Sequence, residues 1–207
     1  MPARKRTDTT GEVRCRLCGK APESVAHVLA GCTALAQNKY LTRHNAALKI
    51  LFFEILHIVD IVPPWYSPSK PKPVYEVNNA QAFWDVPLTA EHQEVRANKI
   101  DARIIDHESR RLITLEMSCS WITNRGKKNE EKTSKYGPLR WELKRKYQEY
   151  EVKQYNIIMD VLGGWCRDLK AEMKELVGNK SKGVFPNMQK AVISGRLNIS
   201  RTFKVVT

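Results

Sequence analysis

The stretch Ile100-Asp101-Ala102-Arg103-Ile104-Ile105-Asp106, then His107-Glu108-Ser109-Arg110, then Arg111-Leu112-Ile113-Thr114-Leu115-Glu116-Met117 reads as two strands around a four-residue loop. If Asp106 faces Arg111, then Ile104 faces Ile113, Ala102 faces Leu115 and Ile100 faces Met117. One face of the hairpin is then apolar at every rung, and a slip by one residue would destroy the match. The same register sets Asp101 across from Glu116 on the other face, with Cβ atoms about 5 Å apart. Like charges there repel, and three arrangements relieve them: a bound divalent cation, a nearby Lys or Arg, or a carboxyl that keeps its proton. Alternatively Asp101 pairs with its same-face neighbour Arg103 and Glu116 is a solvated strand residue. A hard cation such as Mg²⁺ takes one or two carboxylates plus waters and a substrate phosphate, which suits phosphodiester cleavage.

Outward from the hairpin, strand-like runs cover about 82–88, 99–106, 111–118 and 152–162, and helical patterns about 34–60, 127–150, 166–177 and 186–204. The 127–150 pattern can bend or restart at Gly137-Pro138. In the 34–60 pattern Leu48, Leu51, Phe52, Ile55, Leu56 and Val59 recur at steps of three and four, so that face must be buried. Pro63, Pro64, Pro68, Pro71 and Pro73 stop this helix and make a stiff connector. The implied organisation is a basic arm (1–14), a Cys/His knuckle (15–33), a long helix (34–62), a Pro-rich connector (63–78), an α/β core (79–165) and C-terminal helices (166–207). The order of elements predicts a central mixed sheet flanked by helices.

Cys15-x2-Cys18-x8-His27-x4-Cys32 offers three thiolates and an imidazole at a spacing that suits tetrahedral zinc with no open position, hence a structural site. His44 lies too far along the helix to be needed as a ligand and is expected to pack or hydrogen-bond near the cluster, and Cys119 and Cys166 read as core thiols. The connector predicts that zinc loss unfolds the N-terminal segment and spares the sheet.

With 207 residues the chain is too short for a polymerase, and no Tyr-x-Asp-Asp occurs in it. Thirty-five Lys and Arg against 22 Asp and Glu give a net charge of +13, which points to a polyanionic partner, DNA first and RNA second. The longest apolar run, residues 50–62, is broken by Glu54, His57 and Asp60 and is too short to span a bilayer. Residues 1–14 have no apolar core of a secretory signal, so an intracellular compartment is expected.

On these motifs the chain resembles the restriction-like endonuclease region at the C-terminal end of site-specific non-LTR retrotransposon proteins. The knuckle Cys15, Cys18, His27, Cys32, the following Arg43-His44-Asn45, and Lys99-Ile100-Asp101 are similar to that family's order of elements, with Ile100 in place of its usual proline. The resemblance implies a PD-(D/E)xK core, Asp101 and Glu116 as catalytic acids holding magnesium or manganese, and a nuclear location. Ser118 stands where an ordinary Glu-x-Lys nuclease has its lysine. Lys132-Thr133-Ser134-Lys135-Tyr136 is similar to the family's Lys-x-x-Lys-Tyr, so Lys132, or Lys135, is expected to reach back to the acids from a helix.

Residues 125–153 carry ten Lys or Arg against five Glu, a density that fits a groove for a nucleic-acid backbone. Arg125, Lys127, Lys128, Tyr136, Arg140 and Lys144 are the candidate contacts, with Arg4-Lys5-Arg6 as a weaker one. Trp141, Tyr147 and Tyr150 fall at helical spacing and read as core residues before base-stacking ones. Two readings compete with the nuclease: a nucleic-acid-binding module of the same fold without catalysis, and a zinc-stabilised protein-interaction domain, which the charge disfavours.

Overall fold

A computed structural model of the chain describes residues 13–62, 70–89 and 95–205. Arg4-Lys5-Arg6 and Pro63, Pro64 and Pro68 lie outside the described residues. The fold is α/β, with five strands in the order β1 (Val74–Val77), β2 (Ala80–Trp84), β3 (Ala102–Asp106), β4 (Arg111–Ser120) and β5 (Glu151–Asp160). β1 to β4 form an antiparallel meander and β5 runs parallel to β4, so the sheet is mixed. The β4–β5 crossover carries α3 (Arg125–Lys135) and α4 (Gly137–Lys146), the helical connection a parallel pair requires. Before the sheet come two π-helical turns, His27–Gly31 and Ala36–Tyr40, the short α1 (Thr33–Leu35) between them, and α2 (Leu41–Ile58). After it come α5 (Arg167–Val177) and α6 (Ser181–Val205), the latter starting a turn earlier than expected and carrying Pro186 inside.

The period-two pattern of the hairpin sorts its side chains between two cores. Ala102, Ile104, Ile113, Leu115 and Met117 pack with α2, α5 and α6 around Leu48, Leu51, Phe52, Met173 and Met188. Ile105 and Leu112 turn to the opposite face and meet Tyr136, Leu139 and Leu143 of the crossover. The register is Ala102 with Leu115, Ile104 with Ile113 and Asp106 with Arg111. The expected rung between Ile100 and Met117 does not form. The chain bends at Asp101, whose carbonyl accepts the Asp85 N–H at 2.9 Å, and Ile100 is buried in the second core instead.

β1 falls inside the stretch read as a connector. Its prolines precede the strand or sit at its start, where a missing N–H costs no rung. Asn78-Asn79 closes a two-residue turn to β2. The helix of the Arg125–Lys146 region restarts at Gly137, with Pro138 in its first turn. Trp141 is 53% exposed and not a core residue, whereas Tyr147 and Tyr150 lean on the second core. Cys119 packs against the main core, and burial pushes its thiol up to about 11.

α2 and α6 pack closely where Gly195 meets the fully buried Arg43. A Cβ at Gly195 would lie 2.6 Å from Arg43 Cβ and Cγ and 3.2 Å from its Cα. Gly195→Ala is therefore expected to destabilise the chain by about 1–3 kcal/mol through overpacking, read by urea unfolding. A loss under about 0.5 kcal/mol would mean that the two helices slide apart freely.

Candidate functional site

The knuckle is built on a tight turn. The Cys15 N–H bonds Ala21 O at 2.8 Å, the Gly19 N–H bonds Cys15 O at 2.7 Å, and Gly19 takes a positive φ of 66°. The following π turn brings in His27, and Cys32 precedes α1. The four ligand atoms lie within 4.8 Å of one another. Cys15 and Cys32 Sγ atoms are 3.8 Å apart and Cys18 Sγ is 3.2 Å from His27 Nε2. Tetrahedral zinc with Zn–S near 2.3 Å and Zn–N near 2.0–2.1 Å needs separations of about 3.8 and 3.6 Å, so the donor set fits the ion. Burial acts to raise the Cys18 thiol, but the Lys20 N–H and His27 outweigh it and hold it down to about 6, whereas burial pushes the Cys32 thiol up to about 11.

The knuckle does not stand apart from the sheet. Its Val28, Leu29 and Cys32 share a core with Val161 at the end of β5 and Ile199 of α6, and α2 belongs to the main core. The expectation that the connector isolates the knuckle therefore loses its basis. Tyr40 stitches it further, its hydroxyl accepting the Cys32 N–H at 2.9 Å and donating to Val28 O at 2.7 Å.

The second cluster forms where β3 begins, beside β4. Glu116, 1% exposed, points to the crossover face, and Asp101, at the bend, reaches across to it. The Asp101 N–H donates to Glu116 Oε1 at 3.1 Å, and the Met117 N–H donates to Asp101 Oδ2 at 2.7 Å. A side chain thus takes the rung that the strand itself leaves unpaired. Lys132 of α3 places Nζ 2.5 Å from Glu116 Oε2 and 3.9 Å from Asp101 Oδ2. His44 of α2 places Nε2 3.0 Å from Asp101 Oδ2 and 3.2 Å from Met117 O. Both neighbours of Nε2 accept, so Nε2 carries a proton. The repulsion between the acids is relieved by cations, not by Arg103, which stacks over the Phe83 ring at 4.1 Å.

The two carboxyls are pushed in opposite directions. Burial and the Asp101 charge raise Glu116 against the pull of Lys132 and Tyr136. Burial acts to raise Asp101 as well, but the His44 hydrogen bond and charge, Lys132 and the Met117 N–H hold it below the ordinary carboxylate range. Burial acts to lower His44, and Asp101 more than compensates, leaving it raised. Such a split favours one acid that stays ionised and one that holds its proton more readily.

A cleft of about 440 Å³ opens beside this cluster, lined by Tyr40 and His44, by Met117 and Ser118, and by Lys128 and Lys132; Asp101 and Glu116 lie behind His44 and Lys132 and do not line it. Ser118 leaves room where a longer side chain would reach in. Lys135 also lines the cleft, but its Nζ binds the Tyr136 hydroxyl at 3.0 Å. Tyr136 is buried, its hydroxyl donating to Lys99 O at 3.0 Å, so it is a core residue and not a surface contact. Arg125 is spent on the buried Asp160 at 3.3 Å, and Arg140 donates to Gln154 at 3.1 Å. Lys128 borders the cleft in an ion pair with Glu131, while Lys127 and Lys144 are exposed.

Sequence reasoning singles out His44 beside the knuckle and in Arg43-His44-Asn45, but not as a partner of the acids; Asp101 is 57 positions away. Among the described residues no helix is long and apolar enough to cross a membrane. No family model matches the chain, and no curated protein matches it.

Proposed function

We propose that the chain is a metal-dependent DNA endonuclease module with a PD-(D/E)xK-like core, of the kind found in site-specific non-LTR retrotransposon proteins and acting in the nucleus. The observation that carries this reading is the convergence of Asp101, Glu116 and Lys132 beside an open cleft that Lys132 lines together with Lys128 and Lys135. Asp101 Oδ1 has no hydrogen-bond partner among the described residues, although the carboxylate is mostly buried, so a ligand atom is on offer. Asp101 and Glu116 would hold magnesium or manganese, which when bound supplies neutralising charge at a phosphate and acidifies a water.

The rest falls to the protein. Lys132 offers an ammonium to the charge that builds on the phosphate oxygens as a water oxygen bonds to phosphorus and the P–O ester bond breaks. The water loses one proton and the leaving alkoxide gains one. Lys128 and Lys135, on the cleft wall, neutralise flanking phosphates. A second reading, a nucleic-acid-binding module of the same fold without catalysis, is favoured by the way Lys132 and His44 already neutralise both acids.

Nicking of supercoiled and branched DNA with Mg²⁺ or Mn²⁺, run beside salt-dependent DNA retention, separates them. The expected result is cleavage by the wild type that falls about 10²–10³-fold or more in Asp101→Ala, with retention unchanged. Retention without cleavage by the wild type would support the second reading, and neither would leave only a protein-interaction role.

A further inference from the structure

We propose that Arg43 and His44, adjacent on α2, make the zinc knuckle a working part of the carboxylate site: His44 positions Asp101, and Arg43 ties the turn that carries His44 to the knuckle. For its catalytic consequence this rests on the nuclease reading; for its structural core it does not.

Arg43 is among the largest fully buried side chains of the described residues. Its Nη1 donates to Leu29 O at 2.9 Å, inside the π turn that carries His27, and its Nη2 donates to Cys119 O at 3.2 Å, near the end of β4. Its guanidinium lies 5.2 Å from the Tyr40 ring centroid, and Tyr40 is the residue that closes the knuckle around Cys32. Arg43 Nε is buried without a hydrogen-bond partner among the described residues. A buried cation that leaves a donor unmatched is costly, and an apolar residue would fill the space at lower cost. The retained charge joins two carbonyls from elements that share no backbone hydrogen bond. Gly195 is small where Arg43 needs the room.

The next residue turns the other way. His44 Nε2 sits between Asp101 Oδ2 and Met117 O, and its Nδ1 is held 2.9 Å from Asn45 Oδ1. Asp101 lies beyond the last rung of β3, so ladder bonds do not fix its side chain. Its carboxylate orientation depends on the Met117 N–H and on His44. A group that orients a metal-binding carboxylate from behind governs how well that carboxylate binds. If the knuckle loosens, Leu29 O and Tyr40 move, Arg43 loses half its anchorage, and the imidazole next to it shifts away from Asp101.

The Met117 amide, bonded to Asp101 Oδ2 itself, is a reporter that needs no divalent ion. Hydrogen exchange at Met117 and at Ile113, the latter inside the β3–β4 ladder, should be followed in four samples of the full chain: zinc-loaded, zinc-stripped, His44→Ala and His44→Gln. Protection at Met117 is expected to fall at least tenfold further than at Ile113 in the stripped protein, where Ile113 reports the general loss of stability, and at least tenfold in His44→Ala with Ile113 unchanged. His44→Gln, whose amide can still donate to Asp101, should restore Met117. In a nicking assay His44→Ala should raise the Mn²⁺ concentration for half-maximal cleavage about 10–100-fold, with DNA retention unchanged and recovery in His44→Gln. Equal Met117 protection in all four samples would overturn the coupling, as would a loss at Met117 no greater than that at Ile113 on zinc removal, which would make zinc a general support of the fold and nothing more. Absence of nicking by the wild type sinks the nuclease reading alone, because the amide measurement still decides the coupling.

Discussion

Removal of zinc is expected to lower the melting temperature of the whole chain by about 10 °C, and metal analysis of the intact protein to find one zinc per chain. Structural zinc contributes about 10–16 kcal/mol in small finger peptides, most of which goes into ordering the finger itself. Here part of it reaches the sheet, because Cys15, Cys32, Val28 and Leu29 are packed with Val161 and Ile199. Loss of even about 3 kcal/mol of that shared packing corresponds to roughly 6–12 °C in a chain of this size. Cys32→Ser should behave like the chelated protein, since Cys32 is fully buried and donates its backbone N–H to Tyr40. A thermal scan in which chelation leaves the main transition in place would show that the knuckle folds and melts alone.

Lys132→Met is expected to lower metal-dependent cleavage by about 10²–10³-fold while changing DNA retention less than about threefold. Lys132 is 19% exposed and its ammonium bridges two acids, so it is placed for the reacting phosphate more than for general attraction of the backbone. The other cleft lysines, Lys128 and Lys135, remain to hold DNA. The substitution also leaves Glu116 buried beside Asp101 without its partner, a loss of about 3–5 kcal/mol for a fully buried pair and less here because Asp101 is 26% exposed. Adding Glu116→Gln should recover much of that stability and no cleavage, which separates the charge imbalance from the chemistry. Equal losses of cleavage and retention in Lys132→Met would reduce Lys132 to a phosphate contact. Full cleavage by Lys132→Met with Lys135→Ala would remove it from the reaction altogether.

How far the fold can be read locally differs from element to element. The hairpin register follows from alternation alone, since Ile104, Ile113, Ala102 and Leu115 must share a face and no other alignment buries them together. The knuckle ligands follow from spacing, because four soft donors within eighteen residues close on one point through two turns. The strand β1 was masked by its neighbouring prolines, although Asn78-Asn79 between alternating residues was the available signal. Helical spacing placed Trp141 inside, yet the buried face of α4 is set by Leu139 and Leu143, and Trp141 falls outside that stripe.

By itself the amino-acid sequence determined the α/β class, the mixed sheet, the hairpin register and the four-residue knuckle, because each depends on periodicity or spacing within a short span. Only the tertiary structure decided that Ile100 leaves the hairpin face, that Arg125 serves Asp160, that Tyr136 is buried, that Lys132 and not Lys135 is the lysine at the acids, and that His44 meets it at Asp101. Those outcomes depend on how three elements distant in the chain, α2, the β3–β4 hairpin and α3, dock around one sheet end. No local pattern encodes the docking, since it is set by the shape of the two buried cores and by the partners that buried charges must find once packing has brought them together.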